Sequence, residues 1–428
     1  MKIRFNTLDK YSWALLLIII SVCFGTAFGG SFQPMRIMLF LFFILYFHQI
    51  VRNKFSLKED QPIVFGLLLF ISWIVYGSLS LLWSPDPIRG FNAGIIAMTM
   101  GFISLPVFAF LFRKANNPLK TIRKGWLICF LLTAALGIYE LITYNHISSF
   151  EDVRILGRIG VIVPHASATF GNINDYGTII AFIVPYLLWG ILDGRNGLRK
   201  LIYLVAFLLG LLFVVVNGHR LGVLVIGLQA LCFLFLLLRQ LRKRYIVLGL
   251  VLICLTVIVL PMDELLFTMK YRMSDGIVGT ASKAMNEGRG ALIVEGLQIL
   301  KQSYGFGVGA GGFQEAVKHL PTFDGTYIDP HNLFVEIFAQ YGIFIFLFFC
   351  FWLFSIFYFA LKNKHITKGA RMTVCATIFT LPLIGMMSSH ALGYTYYWIF
   401  LSCAAVISTY KNPMLNNLNK NVCIESNK

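Results

Sequence analysis

Charged residues are scarce in this chain of 428 residues, where Asp, Glu, Lys and Arg make up only 13% and hydrophobic residues 58%. Soluble domains carry about 25% charged residues, so this chain has too few of them to cover a water-facing surface. Many of its 40 Phe residues occur in long apolar runs, such as that over 344–359, which suit contact with lipid tails. The composition excludes a soluble protein and predicts a polytopic membrane protein.

Acidic residues are fewer than basic ones, and the formal net charge is +17. The basic residues form short clusters between apolar spans, for example at 113–114, 123–124 and 239–245. This distribution is typical of cytoplasmic loops under the positive-inside rule, whereas a nucleic-acid groove would interleave basic with aromatic residues. Nucleic acid is therefore excluded as a partner.

The eight cysteines lie in apolar spans or in the C-terminal tail, and their spacing fits neither a metal site nor a disulfide framework. We interpret them as small buried hydrophobic residues. The sequence also lacks a D-x-D motif, a Walker A loop, an H-E-x-x-H motif and a G-x-S-x-G motif. We therefore expect no cofactor and no metal ion, and neither metal hydrolysis nor cytosolic nucleotide chemistry.

Long apolar segments predict about twelve transmembrane helices, because a helix needs about 20 apolar residues to cross a bilayer. They lie near 11–30, 35–51, 62–83, 91–112, 126–144, 176–192, 201–217, 220–238, 246–262, 332–360, 372–388 and 396–410. The first has no clear small-x-small cleavage site, which favours a membrane helix over a signal peptide. The predicted fold is one all-α membrane domain over 1–428, with a large external loop at 263–331 between spans 9 and 10.

The basic residues also orient the predicted helices. Of the 36 Lys and Arg residues, 25 fall on one side, in short loops and at both termini. The positive-inside rule assigns that side to the cytoplasm. We therefore expect a multi-pass protein of the cytoplasmic (inner) membrane with both termini cytoplasmic. Two long external loops, near 145–175 and 263–331, then hold most of the unusual polar residues.

The second external loop ends in Asp329-Pro330-His331, at the start of the tenth predicted span. Asp329 resembles an N-cap and Pro330 a first-turn proline, which predicts that His331 lies in the first helical turn. The positive end of the helix dipole disfavours imidazolium there, so a neutral His331 is a candidate proton acceptor. The alternative is an interfacial histidine with a structural hydrogen bond.

Other polar residues near the outer ends of predicted spans are candidates for substrate binding. Asn332, Glu336 and Gln340 recur at i, i+4 and i+8 and form a polar stripe in a Phe-rich helix. Such residues are costly within a membrane span, so the stripe indicates a functional face. In the first external loop, Asn172 and Asn174 either cap the sixth helix or hydrogen-bond a sugar.

Two arginines are candidate anion ligands. Arg220 opens the eighth span after the Asn217-Gly218 turn, and an arginine beside the free N–H groups of a helix N-terminus suits a phosphate. The alternative for Arg220 is a snorkelling interface anchor. Arg289, in the second external loop, is either a second anion ligand or a solvated residue.

The second external loop also predicts an amphipathic helix between residues 289 and 302, lying along the outer membrane surface. Leu292 and Leu297 lie on its apolar face and Glu295 on another. The glycines that follow match G-x-G-x-x-G through Gly307 and Gly309, but no strand precedes them and no acidic residue follows at the required distance. We interpret them as a turn that lets the backbone approach a substrate or a neighbouring helix.

Together these motifs resemble the signature of the O-antigen ligase and Wzy-type polysaccharide polymerase family. Within 288–342, a G-R pair, an amphipathic helix and a glycine-rich loop precede H-N-x-x-x-E and a further glycine. The segment 169–177 and Arg220 also resemble family motifs. Two features depart from the pattern: the glycine-rich loop has one additional residue, and His219 stands where the family usually has a small residue.

The resemblance implies a metal-independent inverting glycosyltransferase of polysaccharide biosynthesis. Its donor would be a glycan linked through pyrophosphate to undecaprenol at the outer leaflet, and its acceptor a sugar hydroxyl. His331 would take the acceptor proton, and Arg220 and Arg289 would bind the pyrophosphate. The candidate substrate-binding residues are Asn332, Glu336, Asn172, Asn174, Gly307 and Gly309.

The residues leave several functions open. A polymerase that joins repeat units and a ligase that moves the chain to lipid A-core share donor chemistry, and we adopt the polymerase as the working hypothesis. A transporter of lipid-linked sugars would place charged residues at the bilayer midplane within repeated halves, a pattern this sequence lacks. A non-catalytic role beside other polysaccharide-assembly proteins is a third class. The expected partners are the lipid-linked donor, the glycan acceptor and membrane lipid.

Overall fold

A computed structural model describes residues 8–26, 33–52, 55–56, 58–143, 145–147, 155–156, 161–162, 165–194, 196–240, 292–321, 329–388 and 391–411. The α-helices in this part of the chain are α1 Lys10–Ser21, α2 Pro34–Val51, α3 Gln61–Ser80, α4 Pro87–Arg89, α5 Ile96–Lys114, α6 Pro118–Thr143, α7 Ile173–Asp193, α8 Gly197–Val216, α9 Arg220–Gln240, α10 292–302, α11 Phe313–Lys318, α12 Leu333–Lys362, α13 Lys368–Ile384 and α14 Thr395–Ser408. Shorter 3-10 turns follow α1 and precede α14, and a π-helical segment, Gly90–Ile95, joins α4 to α5.

Seven of these helical stretches are long and apolar enough to cross a membrane: α2, α3, the continuous stretch Pro87–Lys114, α6, α7, α8 and α12. The segments Lys10–Phe24, Arg220–Phe235 and Thr395–Ser408 are shorter apolar helices. Every predicted span within the described residues coincides with a helix, which confirms a multi-pass helical membrane protein. The predicted span 246–262 lies outside the described residues, so the count of twelve stays a prediction.

One short element departs from the all-α expectation. Strands β1 Ile155–Leu156 and β2 Val161–Ile162 pair antiparallel, with Ile155 opposite Ile162. Their two-residue length is below the usual range for strands in globular proteins, which explains why the alternation signal was too short to predict them. The hairpin falls within the first predicted external loop.

Helix α14 and helix α7 occupy the centre of the bundle. Every residue of Thr395–Ser408 is buried, and the ring of Phe400 stacks on Trp126 at 3.9 Å and on Phe182 at 4.5 Å. Peripheral helices instead expose large apolar side chains, such as Phe40 on α2 and Phe354 on α12. These side chains suit lipid contact, because lipid tails are as apolar as the side chains themselves.

Five helix N-termini meet at one end of the bundle, around the segment that joins α13 to α14. We call this segment the connector; it comprises 385–388 and 391–394. The Arg36 guanidinium of α2 donates to the Gly393 carbonyl at 2.9 Å, and the Tyr394 hydroxyl donates to Asp175 of α7 at 2.8 Å. The first N–H of α12, from Leu333, donates to the Gly385 carbonyl at 2.9 Å.

The remaining two N-termini complete this end. The α9 N-terminus packs beside it, where Gly222 lies against Met387, and α14 begins directly after the connector at Thr395. The opposite end of the bundle carries basic residues, including Lys114 at the end of α5, Lys362 at the end of α12 and Lys368 at the start of α13. These lysines therefore lie away from the connector.

Candidate functional site

His331 lies immediately before the cap of α12, not inside its first turn. The N-cap is Asn332, whose Oδ1 accepts from the N–H groups of Phe334 at 2.9 Å and Val335 at 3.3 Å, and the helix begins at Leu333. The predicted register, with Asp329 as cap, is therefore wrong by three residues. Asparagine is as good a cap as aspartate, and the structure uses Asn332.

The backbone of His331 is strained. Its φ is 42°, in the left-handed region that non-glycine residues avoid. Such a conformation costs about 1–3 kcal/mol and persists only when the surrounding structure fixes it. Here Pro330 precedes the residue and the Asn332 cap follows it. The imidazole is half-buried at the connector end, next to the positive end of the α12 dipole.

The polar stripe of α12 continues into the protein interior. Glu336 and Gln340 are both 6% exposed. The Glu336 Oε2 accepts from the Leu392 N–H of the connector at 3.2 Å, and the Gln340 Oε1 accepts from the Gly311 N–H at 2.6 Å. The stripe therefore ties α12 to the connector on one side and to the glycine-rich loop on the other. Asn332, at its start, is the helix cap described above.

The glycine-rich loop, residues 304–312, docks into a break in α12. Gly342 interrupts that helix with φ 75° and ψ 178°, which frees backbone groups of the turn before it. The loop pairs with these groups: Val308 N–H donates to Ala339 O at 2.9 Å, and Gly309 N–H to Gln340 O at 3.0 Å. The close approach made by Gly307 and Gly309 is thus to neighbouring helices. A role for these two glycines in binding substrate stays a prediction.

We expect Gly307→Ala to destabilise the protein more than Gly305→Ala does. Both glycines have positive φ, 78° and 84°, so either alanine is strained by about 1–2 kcal/mol. A Cβ at Gly307 would lie 2.6 Å from backbone atoms of Gln340 and Gly342, whereas one at Gly305 meets nothing closer than 3.7 Å. Overpacking should therefore add about 1–3 kcal/mol at Gly307 alone.

The midpoint of thermal unfolding in detergent, recorded for both alanine variants, measures this difference. Gly227→Ala on α9 is the control, because a Cβ there meets no atom of the described residues within 4 Å. Equal midpoints for Gly307→Ala and Gly305→Ala would show that the loop is not docked against the broken turn of α12.

Helix α10 occupies the position of the predicted amphipathic helix, but its faces differ from the expectation. Glu295 is 4% exposed and packs on the inner face with Leu292 and Ile299, whereas Val294 and Leu297 are each 53% exposed. The inner face contacts α11 and α12 through a small apolar cluster. Apolar side chains can face lipid at little cost, so an inward Glu295 is compatible with a membrane-surface location.

Arg220 begins α9, as predicted, after a tight turn with Gly218 at φ 66°. The unusual His219 has a structural role here: its Nδ1 accepts from the Gly222 N–H at 3.0 Å, and its ring packs against Gly177 of α7. His219 therefore caps α9 and fixes the turn that presents Arg220. Arg289 lies outside the described residues, so its position relative to Arg220 stays a prediction.

A buried carboxylate that the sequence analysis did not single out organises the adjacent loop, residues 165–172. Glu140, near the end of α6, is 0% exposed. Its Oε2 accepts from the N–H groups of Ser167 and Ala168, both at 2.8 Å. The Asn217 side chain holds the same loop by pairing with the Ala166 N–H at 2.9 Å and the Ala166 carbonyl at 2.7 Å. An acidic residue within a predicted span was the signal that could have identified Glu140.

Asn172 is the N-cap of α7, since its Oδ1 accepts from the Asn174 N–H at 2.7 Å. The Asn174 carbonyl in turn accepts from the Thr178 hydroxyl at 2.8 Å. This favours the capping alternative for Asn172. Both side chains remain half-buried at the connector end, and sugar binding by them stays a prediction.

Arg89 is a further cation at the connector end that sequence reasoning missed. Its guanidinium donates to the side chain of Gln314 in α11, which donates in turn to Asp329 beside Pro330. This chain of side chains links the α3–α5 connection to the residues that precede His331. Within the described residues, no three His, Cys, Asp or Glu side chains come together as metal ligands, and metal independence stays a prediction.

Residues 205–350 match the family model described as O-antigen ligase. This confirms the family resemblance, and the matched region contains Arg220, the glycine-rich loop and His331. The chain is also similar to the teichuronic acid biosynthesis protein TuaE of Bacillus subtilis (strain 168). The two are 26% identical over 363 residues, which cover 80% of this chain and 72% of the relative.

The matched region begins within α8 and ends within α12. It therefore spans the turn that presents Arg220 and the broken helix that receives the glycine-rich loop. Arg89 and the connector lie outside it in sequence but contact its elements, through Gln314 and Glu336. Polar residues of the matched region are thus held by groups from both flanking parts of the chain.

Proposed function

We propose that this protein transfers a glycan from an undecaprenyl-pyrophosphate donor to a sugar hydroxyl, and so polymerises repeat units of a polysaccharide at the outer leaflet. The observation that carries this proposal is the meeting of five helix N-termini around the connector, with His331 and Arg220 at two of them. The positive ends of helix dipoles favour phosphate groups. A transporter would place its site near the bilayer midplane, whereas these residues lie at one end of the bundle.

The proposed reaction uses His331 for proton transfer, and Arg220 and Arg289 as ligands of the pyrophosphate. His331 takes the proton of the acceptor hydroxyl as its oxygen attacks the anomeric carbon of the donor. The bond between that carbon and the pyrophosphate oxygen breaks, and the electron pair leaves with the pyrophosphate. Arg220 and Arg289 stabilise the departing charge. Attack opposite the leaving group inverts the anomeric centre, and no metal ion is required.

The orientation follows from the charge difference between the two ends. Basic residues gather at the end opposite the connector, which the positive-inside rule assigns to the cytoplasm. We infer that the connector faces the outside and that both termini are cytoplasmic in the inner membrane. Lipid-linked glycans presented at the outer leaflet then meet the connector end, and the polyprenyl tail lies along the apolar helix surfaces.

The similarity to a protein of teichuronic acid biosynthesis favours a role in building a polysaccharide. Between polymerase and ligase, that relative supports the polymerase, because its name describes biosynthesis of a polymer and not attachment to lipid A-core. The partners of the proposed reaction are the lipid-linked donor, the growing glycan as acceptor, and membrane lipid. Other polysaccharide-assembly proteins complete the expected set.

Purified protein in nanodiscs, incubated with undecaprenyl-pyrophosphate-linked repeat units alone, is expected to produce a ladder of lipid-linked oligosaccharides. Each elongation step should release one undecaprenyl pyrophosphate, which thin-layer chromatography quantifies beside the ladder. A ligase would give no ladder and would transfer sugar only when lipid A-core is supplied. If neither product forms and labelled donor crosses the membrane of proteoliposomes, the protein is a transporter and not an enzyme.

A further inference from the structure

A small cavity lies behind the connector, beside the residues that precede His331. Its volume is about 160 Å³, and its wall includes Gly94, Gly311, Pro330, Glu336, Gln340 and Tyr341. The space is lined by both carboxamide and carboxylate side chains from consecutive turns of α12, although the surrounding helices are strongly apolar. Polar groups from α12, the glycine-rich loop and the connector therefore converge on one pocket within the bundle end.

Tyr341 carries the clearest sign that the cavity holds a ligand. Its side chain is 1% exposed, and its hydroxyl makes no hydrogen bond with any group that the structure describes. Leaving a buried hydroxyl unsatisfied costs about 1–3 kcal/mol, so such groups are rare without a functional reason. The ring itself is fixed by an edge-on contact with Trp73, with centroids 5.3 Å apart. The hydroxyl is thus held rigidly at the cavity wall.

The π-helical segment has no side chain where it faces Tyr341. A Cβ added to Gly94 would lie 2.5 Å from the Tyr341 hydroxyl oxygen and 3.3 Å from the Ala310 side chain. The π-helical turn is itself an irregularity that often accompanies functional sites. The absent side chain at Gly94 makes room for the unsatisfied Tyr341 hydroxyl at the cavity wall.

We propose that this cavity is the subsite for one sugar ring of the acceptor glycan, with the Tyr341 hydroxyl and the Glu336 carboxylate as its hydrogen-bonding groups. The inference rests on the proposed function. A sugar ring matches the site because it is small, carries several hydroxyls that both donate and accept, and presents apolar C–H faces to aromatic side chains.

The lining also assigns the subsite to the acceptor and not to the donor. The wall contains Pro330, which directly precedes His331, the proposed acceptor of the hydroxyl proton. Among the lining residues that the structure describes, none comes from α9, where Arg220 would hold the donor pyrophosphate. The acceptor sugar therefore enters from the side of the glycine-rich loop and α12.

Tyr341→Phe tests the subsite with the least change in shape. The probe is the water-soluble repeat unit released from its lipid by mild acid, and its binding to full-length protein is followed by saturation-transfer NMR without donor. Loss of a hydrogen bond to the sugar should weaken binding about 5- to 30-fold, and the acceptor KM should rise by a similar factor with little change in kcat. Tyr358→Phe, on the outer surface of the same helix, is the matched control and should leave both values unchanged.

Gly94→Ala tests the same space by filling it. Its Cβ would displace the Tyr341 hydroxyl or the sugar, so binding of the released repeat unit should fall at least about tenfold. Gly227→Ala is the control, since a Cβ there meets no atom within 4 Å in the part of the chain that the structure describes. Thermal unfolding in detergent identifies any variant that has lost its fold.

The outcomes separate this inference from the proposed function. Wild-type affinity for the repeat unit in folded Tyr341→Phe would overturn the subsite, and so would the absence of binding to wild-type protein. Binding that weakens in both variants, in a wild-type protein that forms no ladder and transfers no sugar to lipid A-core, would support the subsite and reject the glycosyl transfer. If Tyr341→Phe changes only thermal stability, the hydroxyl serves packing and the cavity holds no sugar.

Discussion

Replacement of His331 by alanine is expected to lower the rate of glycan transfer by about 10²- to 10⁴-fold, the usual contribution of a general base. The protein should still insert and fold, because the Asn332 cap and the Leu333–Gly385 hydrogen bond at 2.9 Å hold the start of α12 without the imidazole. Alanine also retains a Cβ, so the left-handed backbone at φ 42° is neither relieved nor worsened. The measurement is the initial rate of ladder formation by purified protein.

His319→Ala is the matched control for this prediction. His319 is exposed at the C-cap of α11, in the segment of the chain that leads to His331. It should leave the rate unchanged. A loss of rate in both variants would show that the effect is not specific to His331. Near-wild-type transfer by His331→Ala would show that this residue takes no part in the reaction. It would favour the alternative of an interfacial histidine with a structural hydrogen bond.

The helices of this fold could be predicted because the bilayer imposes a long and simple signal. A segment of about 20 apolar residues has few alternatives to a helix in lipid, since every backbone group must be satisfied internally. The residue at which a helix begins is a more local matter. Asp329 and Asn332 are chemically similar caps three residues apart, and the choice between them depends on contacts such as that of Leu333 with Gly385, which are 52 residues apart in the chain.

The candidate site was only partly predictable for a related reason. His331, Arg220 and Glu336 stand out because polar residues are conspicuous in an apolar chain. Tyr341 is not conspicuous, since tyrosine is frequent in this sequence. The importance of Tyr341 comes from its hydroxyl, which has no hydrogen-bond partner among the described residues. The role of Glu140 could not be predicted without the position of the loop whose N–H groups donate to its carboxylate. Pairing across long sequence separations, and not residue type, defines these roles.

The faces of α10 illustrate the limit of periodicity in a membrane. In water, an apolar stripe faces the core, so Leu292 and Leu297 would lie on the same buried side. Beside lipid, an exposed face can be apolar as well, and the buried face can contain Glu295. Helical spacing therefore predicts the helix correctly but not which of its faces turns inward.

Arg220 is the second residue for which a large effect is expected. If it binds the departing pyrophosphate, Arg220→Ala should lower the transfer rate by about 10²- to 10³-fold, comparable to the loss of a preorganised donor in other active sites. Arg220→Lys should recover only part of this loss, because an ammonium group cannot make the bidentate contact that a guanidinium makes with phosphate oxygens. Initial rates at saturating lipid-linked donor measure both effects.

The lysine variant distinguishes the two interpretations of Arg220. A snorkelling anchor needs only a long cationic side chain at the interface, so lysine would restore full activity if anchoring were the role. Arg199→Ala, at an exposed position of α8 near the opposite end of the bundle, is the control and should not change the rate. Because His219 caps α9 through the Gly222 N–H independently of the guanidinium, substitution of Arg220 leaves the turn intact. A deficit that lysine does not fully repair would therefore reflect lost contact with the pyrophosphate and not a displaced helix.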